Sequence, residues 1–202
     1  MTADIAPSPL RAVGRPVVDV QAAAAAVEDL MRALGMDTED PGLLRTPSRV
    51  ASAYAEMLAP REFSLTTFPN DEGYDELVVA RDIPFTSLCE HHLLPFVGTA
   101  SVGYLPGNRI LGLSKLARVV ELFSRRPQVQ ERLTKQVAGW LDDHLTPRGV
   151  GVVMQAEHSC MTLRGVRAQG SSTVTSAMLG SLRDDPRTRS EFLSLATPRS
   201  AR

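Results

Sequence analysis

Cysteine and histidine are scarce in this chain, two and four of 202 residues, yet both cysteines and three of the histidines fall in two short stretches. The first is "CEHH", Cys89 to His92, and the second is "HSC", His158 to Cys160. In a regular strand Cys89 and His92 would project to opposite faces, whereas in a helical or tight turn residues three apart share a face. Pro84 and Pro95 flank the motif and favour a turn. A thiolate and an imidazole are good zinc ligands, but two ligands do not make a site. Cys160 supplies a third, and if that segment is a strand, His158 points the same way as Cys160 and is delivered beside the metal. Three protein ligands with a fourth position open is the arrangement of catalytic zinc. Two other readings stand beside this one: cysteines used as core packing, and a Cys–His nucleophile pair.

Three further constellations could bind a ligand. Ser114, Lys115 and Arg118 open a helical pattern, and a helix N-terminus flanked by Lys and Arg favours phosphate. The preceding "GNRILGLSK" has Gly107 and Gly112 at P-loop spacing, but Leu113-Ser114 follows where Lys-Ser/Thr is required, which excludes a Walker A loop. Gln130 and Glu131 fit either a solvated first helical turn or a guanine edge, whose N1 and 2-amino hydrogens suit a carboxylate. Arg164 and Arg167 follow Cys160 and could add to an anion site. His144, in "DDHL", reads as a solvated helix end.

These residues must be carried by a fold. The composition, 43% hydrophobic and 22% charged, is that of a globular protein long enough for one well-buried domain. A net charge of −1 argues against non-specific nucleic-acid or anionic-membrane binding. The longest apolar stretch, residues 22–27, is too short to span a bilayer, and no basic segment leads into a leucine-rich one. With two cysteines and no disulfide framework, the expected location is cytoplasmic.

Residues 1–18 mix Pro, Ala, Gly and Ser without periodicity and predict a mobile arm. Asp19 is placed to cap a helix that Gly35 ends, and Thr46-Pro47 reads as N-cap and first helical residue of a second helix closed by Pro60. Residues 61–76 form a polar, turn-rich loop of the length that often carries function. Strands are expected at "ELVVARDI", "FVGTASVGYLP", "GVGVVMQAEHSCMT" and "STVTSAML". Between them lie two helices, one with Leu116, Val119, Val120 and Phe123 on its apolar face. The other starts near Pro127 and aligns Val129, Leu133, Val137, Trp140 and Leu141. A last helix begins at Asp185-Pro186. The pattern is α+β: an antiparallel sheet interrupted by a helix pair.

Taken together, "CEHHLLPFVGTASVGYLP", "ILGLSKLARVVELFSRRPQVQERLT", "HSCMTLRGVR" and "TVTSAMLGSLRDDPRTRSEFLSL" closely resemble GTP cyclohydrolase I, over residues 43–195. The resemblance implies conversion of GTP and water to 7,8-dihydroneopterin triphosphate and formate, the entry step to folate and related pterins. It implies one Zn2+ per subunit held by Cys89, His92 and Cys160, activating water against C8 of guanine. His158 would be the proton donor to the purine, and His91 would serve later proton transfers or water positioning. Ser114, Lys115, Arg118 and Arg164 match residues at the ribose and triphosphate, Gln130 and Glu131 the guanine-reading pair, and Arg49 a further basic residue toward the phosphates. Some relatives carry Lys three residues after Arg49, where this chain has Ser52. Glu90 is expected to support the turn or the ligands from behind.

The implied fold is of tunnelling type, a four-stranded antiparallel sheet with two antiparallel helices. Residues 19–202 form a single catalytic domain, with N-terminal helices at 19–60 and an α+β core at 76–195. Subunits close edge to edge into a barrel, two pentamers stacking into a homodecamer with active sites at subunit interfaces. The alternatives are a same-fold deazaguanine nitrile reductase and a catalytically inactive GTP-binding relative.

Overall fold

The computed structural model describes residues 17–197; the arm expected at 1–18 falls, apart from Val17 and Val18, outside the described residues. The described chain divides into two compact units at the Pro60/Arg61 junction.

In the first unit, α1 (Val20–Ala33) starts where the Asp19 carboxylate accepts from the Ala22 N–H at 2.9 Å. It ends at Gly35, whose φ of +77° is the left-handed conformation that favours glycine. Helix α2 (Thr46–Met57) packs against α1. Its N-cap is Arg45 rather than the expected Thr46, which is itself helical, so the cap shifts by one residue and uses no side-chain hydrogen bond.

The second unit is built on a five-stranded sheet. Strand β1 (Thr67–Pro69) lies in the segment expected to be loop, where it pairs with a later short strand. Strand β2 (Val78–Cys89) and β3 (Pro95–Leu105) form a long hairpin. Strand β4 (Arg109–Leu111) is the partner of β1, and the Arg109 Nε–H donates to Thr67 Oγ1 at 2.7 Å across the pair. Then come α3 (Ser114–Ser124), β5 (Pro127–Gln128), α4 (Gln130–Leu145), β6 (Gly149–His158), α5 (Ser159–Thr162), β7 (Thr173–Gly180), α6 (Ser181–Asp184) and α7 (Pro186–Ala196). The large sheet has the order β5-β2-β3-β6-β7. Its four long strands are antiparallel, as expected; β5 adds a two-residue parallel edge through Leu88↔Pro127 and Cys89↔Gln128.

That edge corrects the reading of Pro127 as a helix start. Pro127 is in a strand, Val129 is extended (φ −110°, ψ 144°), and α4 begins only at Gln130. Strand β2 likewise runs through Pro84, on an edge where proline is tolerated.

Strand alternation sorts the core. Phe96, Ala100, Val102 and Tyr104 of β3, with Val150, Val152, Met154 and Ala156 of β6, are buried in one cluster with Leu116, Val119 and Val120 of α3 and Leu133, Val137 and Leu141 of α4. The opposite face carries Gly103 and Gly151, directly paired, against which the Phe192 ring of α7 packs. Among the described residues no helix is long and apolar enough to cross a membrane.

Candidate metal centre and active site

Cys89 is the last residue of β2 and is buried. The chain then reverses in a tight turn: Cys89 N–H donates to Leu94 O at 2.8 Å, while Cys89 O accepts from His92 N–H at 3.3 Å and Leu93 N–H at 2.8 Å. Leu93 sits at φ +54°, a left-handed backbone that a leucine adopts only under constraint. The turn swings His92 back over the strand end, and its Nδ1 lies 3.6 Å from Cys89 Sγ. Cys160 arrives from α5, just past the end of β6, and the ligand atoms of Cys89, His92 and Cys160 all lie within 4.8 Å of one another.

Sulfur and nitrogen ligands on a tetrahedral zinc, with bonds of about 2.3 and 2.0 Å, stand about 3.6 Å apart. The Cys89–His92 separation matches that spacing, and the donor set of two thiols and one imidazole suits the metal. Burial raises the Cys160 thiol pKa, the neighbouring Cys89 thiol raises it further, and Arg164 opposes the rise. Two thiols crowded together without a cation resist ionisation; a bound dication reverses that balance.

The route by which Cys160 reaches the group differs from the expected one. Strand β6 ends at His158, and Cys160 lies in the single helical turn α5, so the parity argument that put His158 and Cys160 on one face of a strand does not hold. The Ser159 hydroxyl, donating to Pro95 O, accompanies the departure from the ladder. His158 instead occupies the helix-covered face of the sheet, opposite Phe96 in register. The two rings stack with centroids 4.5 Å apart and planes 6° from parallel. His158 Nε2 lies 2.8 Å from Gln130 Oε1. Burial lowers the His158 pKa, with the Glu131 carboxylate opposing.

Glu90 has a definite place. Its carboxylate pairs with Arg132, which also donates from Nε to Gln128 Oε1 at 2.9 Å and from Nη2 to Pro127 O at 3.3 Å. Glu90 N–H donates to Gln128 O at 3.0 Å. The metal-side turn is thereby tied to the short β5 edge and the first turn of α4. The Arg132 bond holds the Glu90 carboxyl below the usual range. His91 is exposed, with Nε2 3.7 Å from Glu90 Oε1, and its ring meets His92 edge to face.

The remaining candidates are more dispersed. Gln130 is 1% exposed, its side chain enclosed between α4 and the sheet, whereas Glu131 beside it is exposed. Ser114, Lys115 and Arg118 lie on the first turns of α3; Lys115 Nζ sits 5.9 Å from the Phe63 ring centre and Arg118 donates to Glu121 at 3.3 Å. An open cleft of about 460 Å³ beside β2 and α3, lined by Arg61, Arg118, Glu121 and Arg125 among others, contains none of the metal-group residues. Arg164 is exposed in the segment after α5, and Arg49 is on α2, in the other unit.

A family model described as GTP cyclohydrolase I matches residues 23–197. The chain belongs to the GTP cyclohydrolase I family. It is 52% identical over 187 residues to the "GTP cyclohydrolase 1" of Synechococcus sp. (strain JA-2-3B'a(2-13)), an alignment covering 91% of this chain and 82% of that protein. The Rhodopirellula baltica protein of that name is 52% identical, covering 88% and 79% of the two chains, and the Homo sapiens protein 51%, covering 85% and 70%. A solved structure, the archaeosine synthase QueF-Like in its apo form, aligns with 53% of this chain and 94% of its own at TM-score 0.41 and 16% identity, a likeness too slight to carry a fold argument.

Within this member of the GTP cyclohydrolase I family, sequence reasoning missed Phe96, Arg132, Thr134 and Thr175, all of which contact site residues or their supports. Phe96 and His158 are 62 positions apart, and only the β3–β6 register brings them face to face. Arg132 looks like one more exposed helical charge until β5 places Gln128 and Pro127 beneath it.

Proposed function

We propose that this chain is a zinc-dependent GTP cyclohydrolase I that hydrolyses GTP to 7,8-dihydroneopterin triphosphate and formate, the opening step of pterin and folate synthesis. The observation that carries this reading is the convergence of Cys89, His92 and Cys160, from two remote segments, next to a half-buried histidine.

Cys89 Sγ, His92 Nδ1 and Cys160 Sγ would hold the ion. When bound there, zinc supplies Lewis-acid activation of water for attack at guanine C8. The protein's own groups do the rest. Glu131, exposed at the start of α4, accepts from N1–H and the 2-amino group of guanine, a pair of donors that adenine does not offer. His158 delivers a proton to the purine as the imidazole ring opens, and burial, by lowering its pKa, favours release of that proton. His91, exposed on the turn, serves the later proton transfers.

Ser114, Lys115, Arg118, Arg164 and Arg49 neutralise and orient the triphosphate and ribose. Among the described residues, the basic side chains of α3 make no polar contact with the Cys–His–Cys group. That separation supports an assembly in which one subunit's groups complete a neighbour's site. The outer edges of the sheet offer the means: most of β2 and all of β7 lack an outer neighbour among the described residues. Edge-to-edge closure into pentameric rings, two of which stack into a decamer, would satisfy those edges. We place the enzyme in the cytoplasm, where GTP is available.

The test is a GTP turnover assay with metal analysis before and after chelation. Formate release that is lost on chelation and restored by Zn2+ is expected. Full activity in metal-free protein would overturn the proposal.

A further inference from the structure

We propose that Gln130 is a positioning residue for His158 rather than a reader of the guanine base. It holds the resting proton of His158 on Nε2, so the proton exchanged with substrate is carried on Nδ1. This deepens the activity proposed above and rests on it for the role of His158.

The acceptors around the Gln130 amide fix which way it is turned. Gln130 Nε2 lies 3.1 Å from Met154 O, 2.9 Å from Thr173 O and 3.2 Å from Thr175 Oγ1. Two of these are carbonyl oxygens, which only accept. The amide therefore presents its NH2 to them; turning it over would set its own oxygen against both carbonyls in a place closed to water. With the NH2 fixed on the β6–β7 side, Oε1 faces His158 Nε2 at 2.8 Å, and an amide oxygen only accepts. The hydrogen of that bond belongs to His158 Nε2.

The hydroxyls behind the amide agree. Thr134 Oγ1 donates to Gln130 O at 2.7 Å. Having spent its hydrogen there, it accepts from Thr175 Oγ1 at 2.6 Å. Thr175 Oγ1 is then left as an acceptor for Gln130 Nε2. The two hydrogens of the Gln130 NH2 are shared among three acceptors, Met154 O, Thr173 O and Thr175 Oγ1, while the Thr175 and Thr134 hydroxyls each donate onward in one direction. Gln130 and Thr134 are each 1% exposed, so water does not compete for these bonds.

The stacked Phe96 ring fixes the plane of the imidazole and Gln130 fixes its rotation within that plane. Among the described residues, Nδ1 of His158 has no hydrogen-bond partner and is free to meet a ligand. In the proton transfer, Nδ1 takes a proton from solvent water while Nε2–H stays on Gln130 Oε1. The imidazolium then gives the Nδ1 proton to a purine ring nitrogen and returns to the neutral Nε2–H form. The proton taken from solvent is the one passed to the purine, so the imidazole ends in the form in which it began. A glutamine spent in this way has no side-chain hydrogen left to donate to guanine.

The experiment is solid-state NMR of the zinc-loaded, full-length protein labelled with 15N and 13C histidine. With four histidines in the chain, the His158 signals are identified by their loss in His158→Asn. At a pH where free imidazole is neutral, the expected result is protonated Nε2 and bare Nδ1; protonated Nδ1 in wild type would overturn the proposal. This reading needs no variant at position 130. In Gln130→Met the expected results are a mixture of tautomers and a roughly 10- to 100-fold fall in kcat, with KM for GTP changed less than about twofold. A raised KM with unchanged kcat would return Gln130 to base recognition and refute the proposal. Wild-type protein that releases no formate from GTP would sink the activity reading instead, and the NMR signature would still decide where the proton sits.

Discussion

The pairing of Gly103 with Gly151 makes a notch in the sheet, and Phe192 of α7 fills it. A Cβ built at residue 151 would lie 2.6 and 2.8 Å from two Phe192 ring carbons and 2.7 Å from Leu182 Cδ2. One at residue 103 would lie 2.9 Å from the same ring and 3.0 Å from Val79 Cγ2. Carbon atoms in contact sit about 3.5–4.0 Å apart, so Gly151→Ala forces the ring back by about 1 Å. Phe192 is fully buried, with no slack toward solvent. Overpacking of this kind costs about 1–3 kcal/mol, and Phe192→Ala, which empties the notch, costs about 3–5 kcal/mol. In the Phe192→Ala background the added methyl finds vacated space. Gly151→Ala should then cost at least about 1 kcal/mol less than in wild type, well outside the roughly 0.3–0.5 kcal/mol within which independent sites add. The assay is urea denaturation of the four proteins at one fixed protein concentration, since assembly shifts apparent stability. Metal content per subunit should not change, because residue 151 is seven residues, about 23 Å, along β6 from His158. Strict additivity, or a harmless Gly151→Ala, would refute the notch.

Further predictions concern the site and its supports. Cys160→Ala should weaken metal binding by more than the roughly 10- to 100-fold that loss of a supporting residue costs, measured by chelator competition; undiminished affinity would remove Cys160 from the ligand set. Glu90→Gln should lower metal affinity by less than about tenfold, with the exchanged pair Glu90→Arg/Arg132→Glu recovering much of the loss. No recovery would mean that the ion pair does not hold the turn. Asp185 caps α7, accepting from Arg187 N–H at 2.9 Å and from the Thr188 hydroxyl at 2.9 Å, and these bonds hold its pKa below the ordinary value. Its contribution is therefore present above the unfolded pKa and lost as pH falls through the lower, folded one. Asp185→Asn keeps the cap but not the titration, so its Tm should fall less steeply than that of wild type below about pH 4. Equal slopes would contradict the assignment.

The elements whose signals are local were legible in the sequence. Asp19 and Gly35 bracket α1, Asp185-Pro186 opens α7, and Leu116, Val119, Val120 and Phe123 line the buried face of α3. The Cys89–His92 turn was legible because residues three apart can meet only in a tight turn. What escaped depends on pairing between distant segments. Nothing near Pro127 announces a two-residue parallel edge, because its partner is Leu88. The parity of His158 and Cys160 failed because β6 stops at His158, where α5 begins at Ser159. Gln130 reads as a polar first-turn residue, and its burial against β6 and β7 follows from tertiary packing that no local pattern encodes. The metal group could be proposed from composition, while the support of His158 required the register.

The most direct measurement follows one carbon atom. In the proposed reaction guanine C8 leaves as formate, opened by water at the Cys89–His92–Cys160 group. GTP labelled with 13C at C8 should yield 13C-formate in one-to-one proportion with the fluorescent pterin formed on oxidation, by zinc-loaded protein and not by Cys160→Ala. Label retained in the purine after incubation with zinc-loaded wild-type protein would contradict the account.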